Sequence, residues 1–238
     1  MAVFACGNGF APSPRCTARR RRDGKGRRLH GRLLTQCVSR VTLKNPFDLF
    51  ENMSRGGGPM AVLTDRHIDF IKGQPLFFVG TAAADGRVNI SPKGLDSLRV
   101  LDGDRIVWLN LSGSGNETAA HLAEHDRITM MFAAFQGHAK ILRVYGHGRV
   151  VHPRDAGWDE LIGLFPDMPG SRQIIDVTVE SVLQSCGSGV PKFDLAEDRG
   201  PSELLPFYEK MGEDGVRRYW EKKNVVSIDG KPTHIFDD

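Results

Sequence analysis

The sequence predicts a mainly β protein of the α+β class, an antiparallel six-stranded barrel with peripheral helices. Six strand-like segments follow one another through short links with only two helices between them, which leaves no room for the crossover helices a parallel sheet needs. The composition agrees: 40% hydrophobic and 26% charged residues in a chain of 238 can bury a real core. No apolar run reaches the roughly 20 residues of a membrane-spanning helix. An antiparallel meander of this kind removes its exposed edges by closing on itself.

From residue 60 onward each element has a local reason. In "TDRHIDFIKG" Thr64 caps a short helix that Gly73 ends. "PLFFVGTAA" is a buried strand, "DGR" (Asp85 to Arg87) a hairpin turn, and "VNISPKG" the returning strand, with Asn89 and Ser91 on one face and Val88 and Ile90 on the other. After the turn "LDGDR" comes the strand "IVWLNL", and then the corner "SGSGNET" leads into a helix that begins near Asn116. "RITMMFAAF" and "KILRVYGHGRVV" continue the meander, and "RDAGWDELIGLF" is a helix. The last strand, "SRQIIDVTVESVLQ", alternates Ile175, Val177 and Val179 against Asp176, Thr178 and Glu180. Residues 186–238 are helical or irregular, polar, and expected to wrap the barrel. The organisation is therefore a head over residues 1–59, a barrel over 60–185 and a C-terminal extension, with no internal repeat and no second core.

The net charge of +3 averages two unlike pieces. The head holds twelve Lys/Arg against Asp23, Asp48 and Glu51, a net of +9, which leaves −6 for the remainder. An Arg-rich, acid-poor stretch that ends in "SRGGGPM" is expected to be poorly ordered. It reads as a transit peptide for a plastid or mitochondrion, as the product of a start codon placed before a true start at Met60, or as a nucleic-acid-binding arm. The location expected is thus the cytoplasm, or an organelle in the first case. No apolar segment of the secretory kind follows the first basic residues. Three of the four cysteines (Cys6, Cys16, Cys37) lie in the head, so the body, with Cys186 alone, can build neither a disulfide framework nor a four-cysteine metal site.

The corner "NLSGSGNETAAHL" is the candidate binding element. Amides at a helix start lack intrahelical partners and the peptide dipoles favour negative charge there, so a phosphate is a natural guest. Gly113 and Gly115 let the backbone come close, and Ser114, Asn116 and Thr118 add side-chain donors. The alternative is that Asn116 or Ser114 simply caps the helix. The stretch lacks the third glycine of a dinucleotide fingerprint and the Gly-Lys-Ser/Thr of a P-loop. In "VNISPKG", Lys93 could supply the cation that the loop lacks.

Three segments, "FFVGTAAADGRVNISPKG", "IVWLNLSGSGNETAAHL" and "ILRVYGHGRVV", together resemble the FMN-binding split barrels of the pyridoxamine 5'-phosphate oxidase-like family. "SCGSGVP" and "KNVVSIDGKP" are similar to one subfamily of it. The resemblance implies a split barrel, a homodimer with FMN at the subunit interface, and a flavin-dependent oxidoreductase whose substrate is a small molecule, with no membrane or nucleic-acid partner. It implies that Asn89 and Ser91 contact the isoalloxazine or ribityl chain and that Lys93 contacts the phosphate. Trp108 and Leu109 stand in the strand, and Ser114, Gly115, Asn116 and Thr118 in the loop, where the family places its remaining cofactor contacts. Two departures stand out. An Arg-Lys pair usual in the loop is replaced by Asn116-Glu117, so Glu117 has to point away, and the C-terminal Arg/His motif that binds substrate phosphate in true pyridoxamine phosphate oxidases has no counterpart in "KNVVSIDGKPTHIFDD". Vitamin B6 synthesis is therefore not expected.

Other readings stay open on the residues alone. The resemblance also leaves open the deazaflavin F420, which similar barrels use, and the barrel could hold flavin or haem without turnover. "HLAEH" matches the H-x-x-E-H pattern of inverted zincins through His121, Glu124 and His125, although on a helix linking strands of a meander, and no metal is expected. Cys186 is either a reactive thiol or a small buried residue. Tyr145 and Trp108 are either flavin-stacking or core aromatics.

Overall fold

The computed structural model describes residues 62–237, and the readings of the basic head fall outside the described residues. Seven strands form one antiparallel sheet: β1 (Phe77–Thr81), β2 (Asn89–Lys93), β3 (Leu98–Val100), β4 (Arg105–Leu111), β5 (Arg127–Ala133), β6 (Ile141–Val151) and β7 (Ser171–Ser185). Their order is β2-β1-β5-β6-β7-β4-β3, and the sheet curls into a half-barrel, the split-barrel fold. Four helices accompany it: α1 (Asp65–Lys72), α2 (Glu117–Glu124), α3 (Trp158–Ile162) and α4 (Leu205–Lys223).

Two expectations change. The strand count is seven, because Leu98–Val100 pairs with β4 from Leu98↔Trp108 to Val100↔Ile106. Three half-buried residues are too few to show an alternation in the sequence. The sheet also does not close on itself, since β2 and β3 remain as its two edges. Each edge is unsuited to further pairing in its own way: β2 carries Pro92, which has no N–H to offer, and β3 is very short.

The inner surface of the curl is the main core. Phe77, Val79, Ile106, Trp108, Met130, Phe132, Leu142, Val144, Ile175, Val177 and Val179 pack there, joined by Ile71 of α1 and Leu122 of α2. A second cluster, Val107, Leu109, Val151 and Ile174, lies on the opposite face under Leu161 of α3, Phe165 and Met168. Strand β4 is thus buried on both faces, which explains the unbroken apolar run "IVWLNL". In β7 the expected alternation holds, except that Asp176 is buried through ion pairs with Arg105 (2.9 Å) and Arg149 (2.6 Å).

Two irregularities in β7 pairing matter. One falls between Tyr145 and Gly146 of β6. The other falls between Asn110 and Leu111 of β4, where Asn110 pairs with Gln173 and Leu111 with Ser171, so that Arg172 has no opposite residue. A bulge of this type turns a side chain out of the ordinary pleat.

Past Ser185 the chain runs without regular structure to a short π-helical turn, Gly200–Leu204, that leads directly into α4, and then through a tight turn closed by the bridge Val226↔Pro232. This extension grips the corner after β4. Tyr208 Oη donates to Ser112 O (2.7 Å), Trp220 Nε1 to Ser112 Oγ (2.7 Å), and Asn224 Nδ2 to Gly113 O (2.9 Å).

At Gly146 a side chain would overlap the carbonyl oxygen of Thr178 on the neighbouring strand. Gly146→Ala is expected to cost about 2–3 kcal/mol by forcing β6 and β7 apart. Gly189→Ala, with open space around it, should stay within about 0.5 kcal/mol of the native chain. Urea denaturation of both variants checks this.

Candidate functional site

A cavity of about 620 Å³ opens where β2, the corner after β4, the start of β7 and the C-terminal turn meet. Strand β2 contributes Asn89, Ser91 and Lys93, which alternate onto one face of the strand. The corner contributes the run from Gly113 to Thr118, including Ser114, Gly115 and Asn116. The structure therefore brings the β2 residues and the corner residues together. Trp108 and Leu109 lie elsewhere: Trp108 in the inner core and Leu109 in the second core. Both reach a larger neighbouring cavity of about 1050 Å³, which shares Lys93 and Asn110 with the first.

At the corner itself the capping alternative is corrected. Asn116 occupies the N-cap position of α2, but its side chain makes no capping bond. Instead it exchanges two bonds with Gln173, Gln173 Nε2 donating to Asn116 Oδ1 (2.8 Å) and Asn116 Nδ2 to Gln173 Oε1 (3.4 Å). Both residues are buried, and a reciprocal amide pair satisfies them better than one bond to a helix amide would. The first bonds into the helix run from Ala119 N and Ala120 N to Asn116 O (3.1 and 3.3 Å). The amides before them have no intrahelical acceptor and face the cavity end of the helix dipole.

Glu117 is the sole carboxylate among the described residues lining this cavity. Both its oxygens accept from Ile228 N (3.1 Å each), so it is committed to the C-terminal turn. Asn89 Nδ2 reaches Thr81 Oγ1 (3.4 Å) and Thr118 Oγ1 (3.3 Å). Ser91 Oγ is buried without a hydrogen-bond partner.

The residue that sequence reasoning missed is Arg172. It is 3% exposed, lines the cavity, and donates through Nη1 to Gly115 O (3.0 Å) and Asn224 Oδ1 (2.8 Å). Its Nε is buried with no partner. Among the described residues no carboxylate forms an ion pair with it. Burial pulls its pKa down to about 10, which still leaves it charged at neutral pH. Nothing in "SRQIID" signals this, because the arginine reads as an ordinary strand-end residue until the bulge turns it inward. Lys93 is the second cation, stacked 4.9 Å over the Trp108 ring. Burial, and then the charge of Arg172, push it down to about 8. Two desolvated cations with no ion-pair partner among the described residues, at the positive end of a helix, make surroundings complementary to an anion.

The remaining candidates disperse. In "HLAEH", His121 is buried with Nδ1 against Thr81 Oγ1 (3.1 Å), Glu124 accepts Lys231 Nζ (2.6 Å), and His125 is the C-cap of α2. Among the described residues no three His, Cys, Asp or Glu side chains converge as a metal site. Cys186 is exposed, not buried, and its Sγ lies 2.9 Å from Ser188 Oγ. Tyr145 is half-buried on the outer face of the sheet. No helix of the described residues is long and apolar enough to cross a membrane.

Residues 63–186 match the family model described as pyridoxamine 5'-phosphate oxidase. The chain belongs to the pyridoxamine 5'-phosphate oxidase family. It is 36% identical over 187 residues to the family protein ustO of Aspergillus flavus, covering 71% of this chain and 75% of that one. Among solved structures it is similar to HupZ of Group A Streptococcus, at 20% identity and a TM-score of 0.42 over 55% of this chain and 99% of the other. It is also similar to an FMN-binding protein of Syntrophomonas wolfei, at 16% identity and a TM-score of 0.36 over 49% and 81%. The family match ends at residue 186 and leaves out the C-terminal extension that lines one side of the cavity.

Lys93 gives the site a pH signature. The unfolded chain keeps this amine protonated up to about 10.5, whereas the folded chain releases the proton near 8. The unfolded state thus binds more protons between these values, and the Lys93 contribution to stability rises with pH across that window. The gap in unfolding free energy between the native chain and Lys93→Met should shift towards the native chain from pH 8 to 10. A gap that does not move with pH contradicts the burial of a charged Lys93.

Proposed function

We propose that this family member is an FMN-binding flavoprotein, an oxidoreductase acting on an unidentified small molecule, with FMN held at the interface of a homodimer. The observation that carries the reading is the buried, unpaired Arg172, whose Nε lacks a partner beside the start of α2. A phosphate monoester fits this donor set. It offers several acceptor oxygens and close to two negative charges at neutral pH, against two desolvated cations, the exposed Lys223, free helix amides and the hydroxyl of Ser91.

On this reading Arg172, Lys93 and the amides at the start of α2 hold the phosphate, and Ser91 and Asn89 face the ribityl chain. Bound flavin would supply the hydride and electron transfer. The chain's own residues bind and orient. At Gly113 a side chain would stand in open space and could block a phosphate, and at Gly115 it would crowd Glu117. Asn116 and Gln173, locked together, fix the first turn of α2 so that its amides stay aimed. The missing Arg-Lys pair of the loop is then replaced by an arginine from a distant strand.

Strand β2 supports the dimer. Its cavity face is polar, while on its outer side Val88 and Ile90 are 70% and 71% exposed. They border an apolar depression with Phe78, Met131 and Tyr145. Apolar side chains clustered on an exposed sheet face are the mark of a surface covered by a partner.

Purified native chain, incubated with FMN and desalted, should keep a flavin absorption spectrum, and Arg172→Ala should lose FMN affinity by roughly 10- to 150-fold, the range for a charge-assisted bond. Riboflavin, without the phosphate, should bind both proteins alike. Full FMN retention by Arg172→Ala sinks the assignment. For the dimer, sedimentation of Ile90→Glu should give a monomer where the native chain gives a dimer.

A further inference from the structure

The chain beyond residue 186, which the family match leaves out, holds both Arg172 and the corner after β4 through one residue. Asn224 is fully buried at the C-cap of α4. Its two side-chain atoms face two different parts of the site: Oδ1 accepts from Arg172 Nη1 (2.8 Å) and Nδ2 donates to Gly113 O (2.9 Å). Its backbone is pinned as well, with the amide donating to Trp220 O (2.7 Å) and the carbonyl accepting from Thr233 Oγ1 (2.5 Å). Trp220 in turn donates to Ser112 Oγ, one residue before Gly113.

We infer that Asn224 is a positioning residue for phosphate recognition, orienting Arg172 and the corner backbone together, so that cofactor affinity depends on the docked C-terminal extension. This rests on the flavin reading above. The physical logic lies in the neutral amide. An acceptor is needed to hold a guanidinium in one rotamer, since its fork has fixed geometry. A carboxylate there would hold it too, but would cancel the charge that a phosphate is to meet. An amide orients the arginine and leaves its charge available. The same amide also has a donor for Gly113 O, which a carboxylate lacks. Arg172 also donates to Gly115 O, so the extension, the strand and the corner form one closed set of bonds around the site.

The test uses the full chain as Asn224→Ala and Asn224→Asp, with Kd values for FMN and riboflavin from flavin fluorescence and the rise in Tm caused by inorganic phosphate. Both variants are expected to bind FMN at least tenfold more weakly, to bind riboflavin within about twofold of the native value, and to lose the protection by phosphate. Asn224→Asp, which keeps an acceptor for Arg172, should melt no lower than Asn224→Ala. Equal loss of FMN and riboflavin affinity would make Asn224 merely structural and overturn the inference, as would native FMN affinity in either variant or failure of both to fold. If the native chain is protected by phosphate but binds no flavin, and both variants lose that protection, Asn224 stands and the flavin reading falls. A native chain that responds to neither phosphate nor flavin overturns both.

Discussion

A guanidinium kept in the interior without a carboxylate beside it is the constraint on which this site depends. Taking Arg172 out of water is costly, and its bonds to Gly115 O and Asn224 Oδ1 offset that only in part, because both acceptors are neutral and Nε is left over. Lys93, its cationic neighbour, adds repulsion that, after burial, helps to lower the Lys93 pKa. On the proposed reading an anionic ligand would relieve both terms at once, and the unfavourable electrostatics of the site would become binding energy for a phosphate.

Other features of the fold follow from placing that cation. The bulge opposite Asn110 and Leu111 takes Arg172 out of the strand register and turns it to the cavity. Gln173, the next residue, is back in register and locks Asn116 at the start of α2. One irregularity in β7 therefore positions both the arginine and the helix amides. The C-terminal extension completes the set through Asn224 and occupies Glu117 through the Ile228 amide, so the one acid that lines the cavity among the described residues is held by a donor.

Much of this was legible in the sequence, and the reasons for what was not are physical. Long alternating segments such as Ile175 to Glu180 and the two-sided run "IVWLNL" report burial directly. The small residues of "SGSGNET" and the alternation of Asn89, Ser91 and Lys93 brought seven of the nine expected cofactor residues to one cavity. Trp108 and Leu109 pack into the two cores and border the neighbouring cavity instead, since β4 is buried on both faces. Strand β3 escaped notice because three residues carry no period. Arg172 and Asn224 escaped because their roles arise from a bulge and from a contact spanning 52 residues, and neither leaves a local pattern. The seventh strand and the open edges show that short links predict an antiparallel meander but not its closure.

On the proposed reading the departure of the corner from the usual Arg-Lys pair becomes intelligible: the positive charge would come from β7 and β2, and the corner would supply amides. The most direct measurement is a phosphorus NMR titration of FMN bound to the native chain. Held by Arg172, Lys93 and the start of α2, the phosphate should stay dianionic and its resonance unmoved well below the value of about 6 at which a free phosphate monoester takes up a proton. A resonance that titrates near 6, or no bound resonance at all, would contradict a phosphate seated against these cations.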